Sequence, residues 1–373
     1  MIEVKEATGS KLLGQFIDFP HDLYKNDPNY VPELFIAQRD ILTPGKHPFH
    51  KHSQLQPFLA YKDGKIVGRI AAILNNNHNA FNQVKEGFFG FFDSVNDPEV
   101  SKALFERVDQ WLLDKGMEKV VGPANPTTND TCGMLLEGFD SAPVAMMTYN
   151  APYYITLTEK AGFSKLTDLI AWEMYMDTMD HRAVRMIDTL TARLNRSGIT
   201  FRIVNVKKFK DEVKLLRDVY NRAWDKNLGF VPSTPEEFEY LANDLKLILD
   251  DQLCIIAEKD GQAIGFALGV PDINKVLIKV KRGRLFPTGI FKLLFGRKSI
   301  KSVRVITLGV VEGYRKMGIE SVLYGMLVKN ARDKGVVKGE GSWILEDNFM
   351  MNKALENVGG KPYKRYRLFQ KTL

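Results

Sequence analysis

Two stretches of this 373-residue chain repeat one another, and that internal duplication limits the possible folds more than any other feature. Residues 57–73 read PFLAYKDGKIVGRIAAI and residues 253–270 read LCIIAEKDGQAIGFALGV. Each is an apolar strand, a Lys-Asp-Gly turn and a second strand holding a glycine, the pattern of a β-hairpin. Lys62, Asp63, Gly64 and Gly68 recur as Lys259, Asp260, Gly261 and Gly265, an offset of 197. Residues 104–116 (LFERVDQWLLDKG) then match 323–335 (LYGMLVKNARDKG) at an offset of 219, two amphipathic helices ending in Asp-Lys-Gly. At 159–163 (EKAGF) and 356–360 (ENVGG) the offset is 197 again. The second copy thus gains residues before its helix, and the first gains a similar number after it, within 122–150.

Each copy is predicted to run helix, hairpin, strand, helix, strand, helix, strand. That is an α/β (α+β) class with a mixed, mostly antiparallel sheet flanked by helices. The divisions are an N-terminal domain at 1–176, a helical connection at 177–198 and a C-terminal domain at 199–373. Strands are expected at 58–61, 66–74, 87–94, 119–121 and 169–176 in the first copy. The second should have helices at 210–222 and 235–249, strands near 253–270 and at 304–310, a helix at 318–334, a strand at 341–345, a helix at 349–358 and a strand at 366–371.

With 45% apolar and 26% charged residues, the chain has ample material for packed cores and is no disordered segment. No stretch approaches the roughly 18 apolar residues of a membrane span. The start, with Glu3 and Glu6, does not read as a secretory leader. Cys132 and Cys254, far apart in sequence, form neither a disulfide framework nor a metal cluster, which suits a reducing compartment and places the protein in the cytoplasm. The net charge of +7 is local: residues 273–311 hold ten basic residues and no acid, so the remainder is slightly acidic. The patch at 273–304 is a candidate for an anionic ligand, or a solvated surface. Inside it, 285–295 (LFPTGIFKLLF) is apolar enough to pack on its own domain or to touch a membrane surface or an acyl chain.

Residues 308–323 (LGVVEGYRKMGIESVL) give a strand, a basic turn with Gly313 and Gly318, and the start of a helix. Such a connection presents free backbone N–H groups and the positive end of a helix dipole, an anion site. A pyrophosphate would rest on the amides of Met317, Gly318, Ile319 and Glu320, with Arg315 and Lys316 adding charge; an ordinary strand-to-helix connection is the plainer alternative. The segment 310–319 resembles the strand and Arg/Gln-x-x-Gly-x-Gly/Ala loop of the GNAT (N-acetyltransferase-like) superfamily. Residues 348–360 (NFMMNKALENVGG) resemble that family's Asn-containing helix, and 154–163 (YITLTEKAGF) its counterpart in the first copy. After residue 94 the first copy has VNDPE, without the glycines, so the cofactor loop belongs to the second copy alone.

The resemblance implies a two-domain protein that transfers an acyl group from acetyl-CoA, or another acyl-CoA, to the amine of a small molecule or peptide. It implies that Leu308, Gly309 and Val310 lend backbone groups to the pantetheine arm and polarise the thioester carbonyl. Asn348 would bond the pantetheine or simply cap a helix. Glu320 and Leu355 depart from the pattern: the first puts a carboxylate beside the pyrophosphate, and the second, with Thr158 in the first copy, stands where the family often has a Tyr acid. Glu346, just past a strand end, and Glu312 are the base candidates, each with a solvated-acid alternative; Tyr363 or Tyr366 could replace the missing acid. Asn125, Thr127, Asn129, Tyr149 and Asn150 are the candidate wall of an acceptor pocket, or a capped loop.

His47, His50 and His52 share no regular face, Cys132 has no nearby His, and 87–92 (GFFGFF) reads as sheet core. No metal site is expected. The rival functions are a non-catalytic CoA-binding or scaffold protein and an aminoacyl-tRNA-dependent transferase using the basic patch.

Overall fold

The Lys-Asp-Gly turns set two hairpins. Asp63, Gly64, Asp260 and Gly261 have φ of 51°, 74°, 51° and 76°, the paired positive values of a two-residue type I′ turn. In the computed structural model they join Gln54–Lys62 to Lys65–Leu74 and Cys254–Lys259 to Gln262–Pro271. Both hairpins shift register at the same relative place, between Ala60 and Tyr61 and between Ala257 and Glu258. The structure describes residues 1–178, 181–225 and 227–373, with only the backbone for 181–185; residues 179 and 180 of the connection lie outside the described residues.

The duplication extends further than the motifs. Edge strands Ile2–Glu6 and Ile199–Ile203 begin 197 positions apart and pair antiparallel with the hairpins, Ile2 opposite Lys62 and Ile199 opposite Lys259. The closing strands Ser164–Tyr175 and Lys361–Thr372 keep the same offset. Sequence reading missed both edge strands because each is short and one side is exposed, so neither shows an apolar run. These expected elements of the second copy lie in place, with each end within three residues of its expected position: Phe209–Ala223, Pro235–Lys246, Ser302–Val310, Ile319–Asp333, Lys338–Leu345 and Phe349–Asn357. Both long helices end alike. Gly116 and Gly335 have φ of 75° and 76°, and the amides of Met117 and Val336 reach back to Leu112 and Ala331 at 3.1 Å, closing the helix C-terminus.

The chain forms two compact units. Unit 1 comprises Met1–Leu169, Asn274–Gly296 and Lys364–Leu373; unit 2 comprises Ile170–Ile273 and Arg297–Tyr363. Each copy's closing strand runs into the other copy's unit. In unit 1 the strand order is Ile2–Glu6, Gln54–Lys62, Lys65–Leu74, Glu86–Ser94, Lys119–Gly122 and then residues 364–372, with Met134–Glu137 also on that last strand. Its core packs Phe58, Ile70, Phe89, Leu104, Phe105 and Phe369; the Phe89 and Phe105 rings meet edge to face at 5.2 Å. The aromatic run at 87–92 is buried sheet, as expected.

In unit 2 the order is Ile199–Ile203, Cys254–Lys259, Gln262–Pro271, Ser302–Val310, Lys338–Leu345 and residues 170–175. Helix Ile319–Asp333 covers this sheet through Ile319, Val322, Leu323 and Leu327. Helix His181–Arg196 crosses it so closely at Gly325 that a Cβ there would enter the Ile187 side chain. Cys254 is a core thiol that burial pushes up to about 12, and Cys132 is 1% exposed on the two-stranded ribbon of Ala124–Asn125 and Thr131–Cys132.

His21 in unit 1 offers a pH test. Its Nδ1 meets the Tyr30 hydroxyl at 3.0 Å, and its Nε2 is buried without a partner. Burial, reinforced by the Arg69 charge, lowers it from 6.5 to about 4. The unfolded chain therefore binds a proton through that window that the folded unit does not. This contribution to stability is full above pH 6.5 and is lost as the pH falls toward about 4. Thermal melts across the window should decline less for His21→Phe than for wild type; equal slopes would refute the assignment.

Candidate functional site

Two strands of unit 2 begin side by side and then part. Ser302–Val310 and Lys338–Leu345 form a parallel ladder that joins residues 302–305 to 338–341, and beyond it the two strands are no longer paired with each other. On its other side Ser302–Val310 stays paired with Gln262–Pro271 to Val310, with one irregularity: Leu268 faces Thr307 and Gly269 faces Val305, so Ile306 is an extra residue. A bulge of this kind re-aims backbone groups, here at the mouth of the gap. Residues 306–309 are only partly buried. A Cβ on Gly309 would enter the Trp224 ring, which stacks on Tyr220 at 4.8 Å, so glycine lets an indole lie flat on this strand.

The strand leads into the basic turn. Gly313, Lys316 and Gly318 have φ of 92°, 66° and 93°, and Gly318 is the N-cap of Ile319–Asp333. The first helical hydrogen bond runs from Val322 N to Gly318 O at 3.2 Å, so the amides of Ile319, Glu320 and Ser321 precede the helical ladder. Arg315 does not project as a free cation: it donates to the carbonyls of Val310 at 3.0 Å and Ala223 at 2.7 Å. It therefore holds the loop to the strand end and to the C-terminus of Phe209–Ala223. Lys316 and Met317 are exposed, and the Met317 carbonyl accepts from Arg193 at 3.4 Å. Glu320 sits in the helix's first turn, where the dipole favours an acid.

The proposed acid and base groups are scattered. Glu346 follows the end of Lys338–Leu345 and lines an open groove of about 750 Å³ with Ile170, Trp172, Phe349, Met350 and Asn352. Asn352 fixes this wall, accepting from Trp172 Nε1 at 2.9 Å and donating to Leu345 O at 3.0 Å. Glu312 is exposed on the turn after Val310. Tyr363 donates its hydroxyl to buried Glu340, so its proton is committed within the unit's interior. Asn348 accepts from Met351 N at 3.2 Å, the capping role. Leu355 is 4% exposed and packs with Trp172 and Met174, and Thr158 is fully buried, so neither position is open to a reacting group.

Unit 1 shows the same parting of strands, already filled. Its parallel ladder joins 86–88 to 119–121. Beyond it Asn125 Oδ1 accepts from Phe91 N at 2.7 Å, and a Cβ on Gly90 would enter the Ala124 carbonyl. Asn125 therefore plugs the counterpart gap. The other candidate acceptor residues also bond within unit 1. Thr127 Oγ1 bridges Asp130 at 2.7 Å and Asn129 N at 3.0 Å, Tyr149 donates to Asp27 at 2.7 Å, and Asn150 brackets Leu135 at 2.7 and 3.2 Å. The three histidines of 47–52 have separate partners, Phe49 N, Ile41 O and Ser53 Oγ. Among the described residues no group of three or more His, Cys, Asp or Glu could hold a metal ion.

No protein-family model matches the chain. It is 37% identical over 369 residues to Protein YghO of Escherichia coli, covering 97% of this chain and 93% of that one. It is 34% identical over 371 residues to the bacterial ceramide synthase of Caulobacter vibrioides, covering 97% and 95%. The tandem GNAT protein from the clavulanic acid biosynthesis pathway aligns over all of this chain and 98% of its own, with a TM-score of 0.56 at 12% identity. A GCN5-related glucosamine N-acetyltransferase region of a fungal multi-domain enzyme aligns over all of this chain and 38% of its own, with a TM-score of 0.60 at 16% identity. The chain belongs to one family with these two relatives, and its fold is that of the GNAT structures.

In this GNAT-like fold two polar atoms lie in the parting strands without a hydrogen-bond partner: buried Thr307 Oγ1 on one strand and Trp343 Nε1 on the other. Sequence reading passed over both, although Thr307 is the lone hydroxyl in the apolar run VITLGV. Unpaired buried polar atoms cost stability unless a ligand satisfies them. Thr307→Val and Trp343→Phe should therefore leave the melting temperature unchanged or raised while lowering turnover about tenfold or more. Lower stability with unchanged turnover would contradict a ligand-facing role.

Proposed function

We propose that unit 2 binds an acyl-CoA between its parted strands and transfers the acyl group to the amine of a long-chain amino alcohol. The observation that carries this reading is that the strand segments 306–310 and 342–345 are no longer paired beyond their ladder, followed by a glycine turn whose helix N-terminus would serve as the anion site. Pyrophosphate would rest on the amides of Met317, Gly318, Ile319 and Glu320, with Lys316 beside it and Arg315 as the residue that positions the loop. Leu308, Gly309 and Val310 would hold the pantetheine arm and polarise the thioester carbonyl. Acyl transfer is the chemistry the family supplies, and a ceramide, the product in the Caulobacter relative's name, is an amide of a fatty acid and a long-chain amino alcohol.

The apolar groove beside Glu346 suits such an acceptor, because Ile170, Trp172, Phe349 and Met350 offer hydrocarbon contact next to a carboxylate. The amine attacks the carbonyl carbon as Glu346 accepts its proton; the carbon–sulfur bond breaks and the CoA thiolate leaves, receiving through water the proton that Glu346 gives back. The plugged gap of unit 1 supports the reading of the first copy, 1–176, as the cofactor-free half.

Acetyl-, octanoyl- and palmitoyl-CoA should each raise the melting temperature, the longest most, and free CoA should compete. A bulk tRNA mixture should not, at any salt concentration. Stabilisation by tRNA alone, fading steeply with salt, would replace this reading with the aminoacyl-tRNA one.

A further inference from the structure

The ten cations of 273–304 do not form one surface. Arg304 is 4% exposed inside unit 2, bonded to Ser342 Oγ at 2.9 Å. Arg284 makes two bonds to Asp18 at 2.7 and 2.9 Å, and Arg282 pairs with Asp22, both acids on helix Gly9–Leu23 of unit 1. Those two arginines are mounting points. Lys275, Lys279 and Lys281 are exposed, and among the described residues none has a carboxylate within 4 Å. Lys292 bonds the Lys279 carbonyl at 2.6 Å and keeps its charge at the same edge.

Beside these lysines lies helix Gly289–Gly296. One face is packed: Gly289 is buried against Val280 and Arg284 O, and Gly296 lies on Val276. The opposite face carries Phe291, Leu294 and Phe295, one and three to four residues apart and 58%, 61% and 75% exposed, with Phe286 before them 80% exposed. An outward helix face in water is ordinarily polar, and a cluster of large exposed apolar side chains marks a surface that is covered in use.

We propose that this helix, with Phe286, docks unit 1 on an anionic lipid surface: the apolar face enters the headgroup boundary while Lys275, Lys279, Lys281 and Lys292 meet lipid phosphates. Charge selects this occupant. A second copy docking through the same face would bring two uncompensated cationic rims together, whereas an anionic bilayer complements both rim and face. Among the described residues no helix is long and apolar enough to cross a membrane, so the contact is interfacial. The inference is independent of the acyl-CoA reading and is measured without CoA.

The test is co-sedimentation of the full chain with vesicles of phosphatidylcholine alone and of phosphatidylcholine mixed with phosphatidylglycerol. Wild type should partition into the mixed vesicles and fade as salt rises. Phe291→Ser/Leu294→Ser/Phe295→Ser, all exposed positions, should keep the wild-type melting temperature and lose about tenfold or more in partitioning. Lys279→Glu/Lys281→Glu should lose a similar factor at low salt. No partitioning of wild type, or partitioning that both variants retain, would overturn the proposal. So would a wild-type dimer that ignores vesicles and is split by the triple substitution, which would make the occupant a second copy.

Discussion

Gly318→Asp should abolish acyl-CoA binding while leaving a folded protein. Gly318 has φ of 93° at the N-cap of Ile319–Asp333, and a Cβ there would lie 3.0 Å from the flexible end of Leu190. Aspartate tolerates left-handed backbone better than most residues, so the strain should cost about 1 kcal/mol, a few degrees of melting temperature. The ligand suffers far more. A carboxylate would occupy the end of the helix dipole where pyrophosphate is proposed to sit, exchanging attraction for like-charge repulsion. Calorimetric titration of CoA should show affinity lower by about 100-fold or more, about 2.7 kcal/mol. Gly313→Ala, at φ of 92° with open space around its Cβ, should be much milder. Wild-type affinity in Gly318→Asp would remove the turn from the site.

The largest loss of stability should come from Arg304→Met. Arg304 and Glu340 are register partners on the parallel ladder, 4% and 2% exposed. Ser342 Oγ joins them, 2.9 Å from Arg304 Nε and 2.5 Å from Glu340 Oε1, and Tyr363 donates to the other carboxylate oxygen. Burial pushes the Glu340 carboxyl above its ordinary value of 4.5, with Arg304 opposing and nearby Asp272 adding to the rise. Removing the guanidinium leaves a buried acid without its cation, which typically costs about 3–5 kcal/mol. Because the carboxyl's folded value is raised, the cost is relieved toward pH 4.5 and below, and grows as the pH rises through the folded value. Arg304→Met/Glu340→Gln should recover much of the loss in urea unfolding at neutral pH. Equal destabilisation of the single and double variants would show that the pair is not coupled.

The duplication was legible because it is written in turn chemistry: Asp-Gly between strands and Asp-Lys-Gly after helices report local backbone geometry. The exchange of closing strands between units was not legible, since strand partners far apart in sequence leave no local trace. The glycine turn announced itself through Gly313 and Gly318. The sequence could not show that Arg315 turns back to Val310 and Ala223, or that Tyr363 is tied to Glu340, because a charged or phenolic side chain reads alike whether it faces a ligand or a buried partner. The same ambiguity hid the role of Asn125, a plausible pocket wall by composition that is a plug by geometry. Thr307 and Trp343 were overlooked for the converse reason, as they sit in apolar runs that suggest packing alone.

The most direct test of the account is product formation. Purified chain is incubated with palmitoyl-CoA and a long-chain amino alcohol, free thiol is followed by colour and the amide by mass spectrometry. The account predicts amide and free CoA in equal amounts, suppressed in Gly318→Asp and retained, at wild-type folding, only with the parted strands of unit 2 intact. Thiol release without amide, or amide formation undiminished in Gly318→Asp, would contradict it.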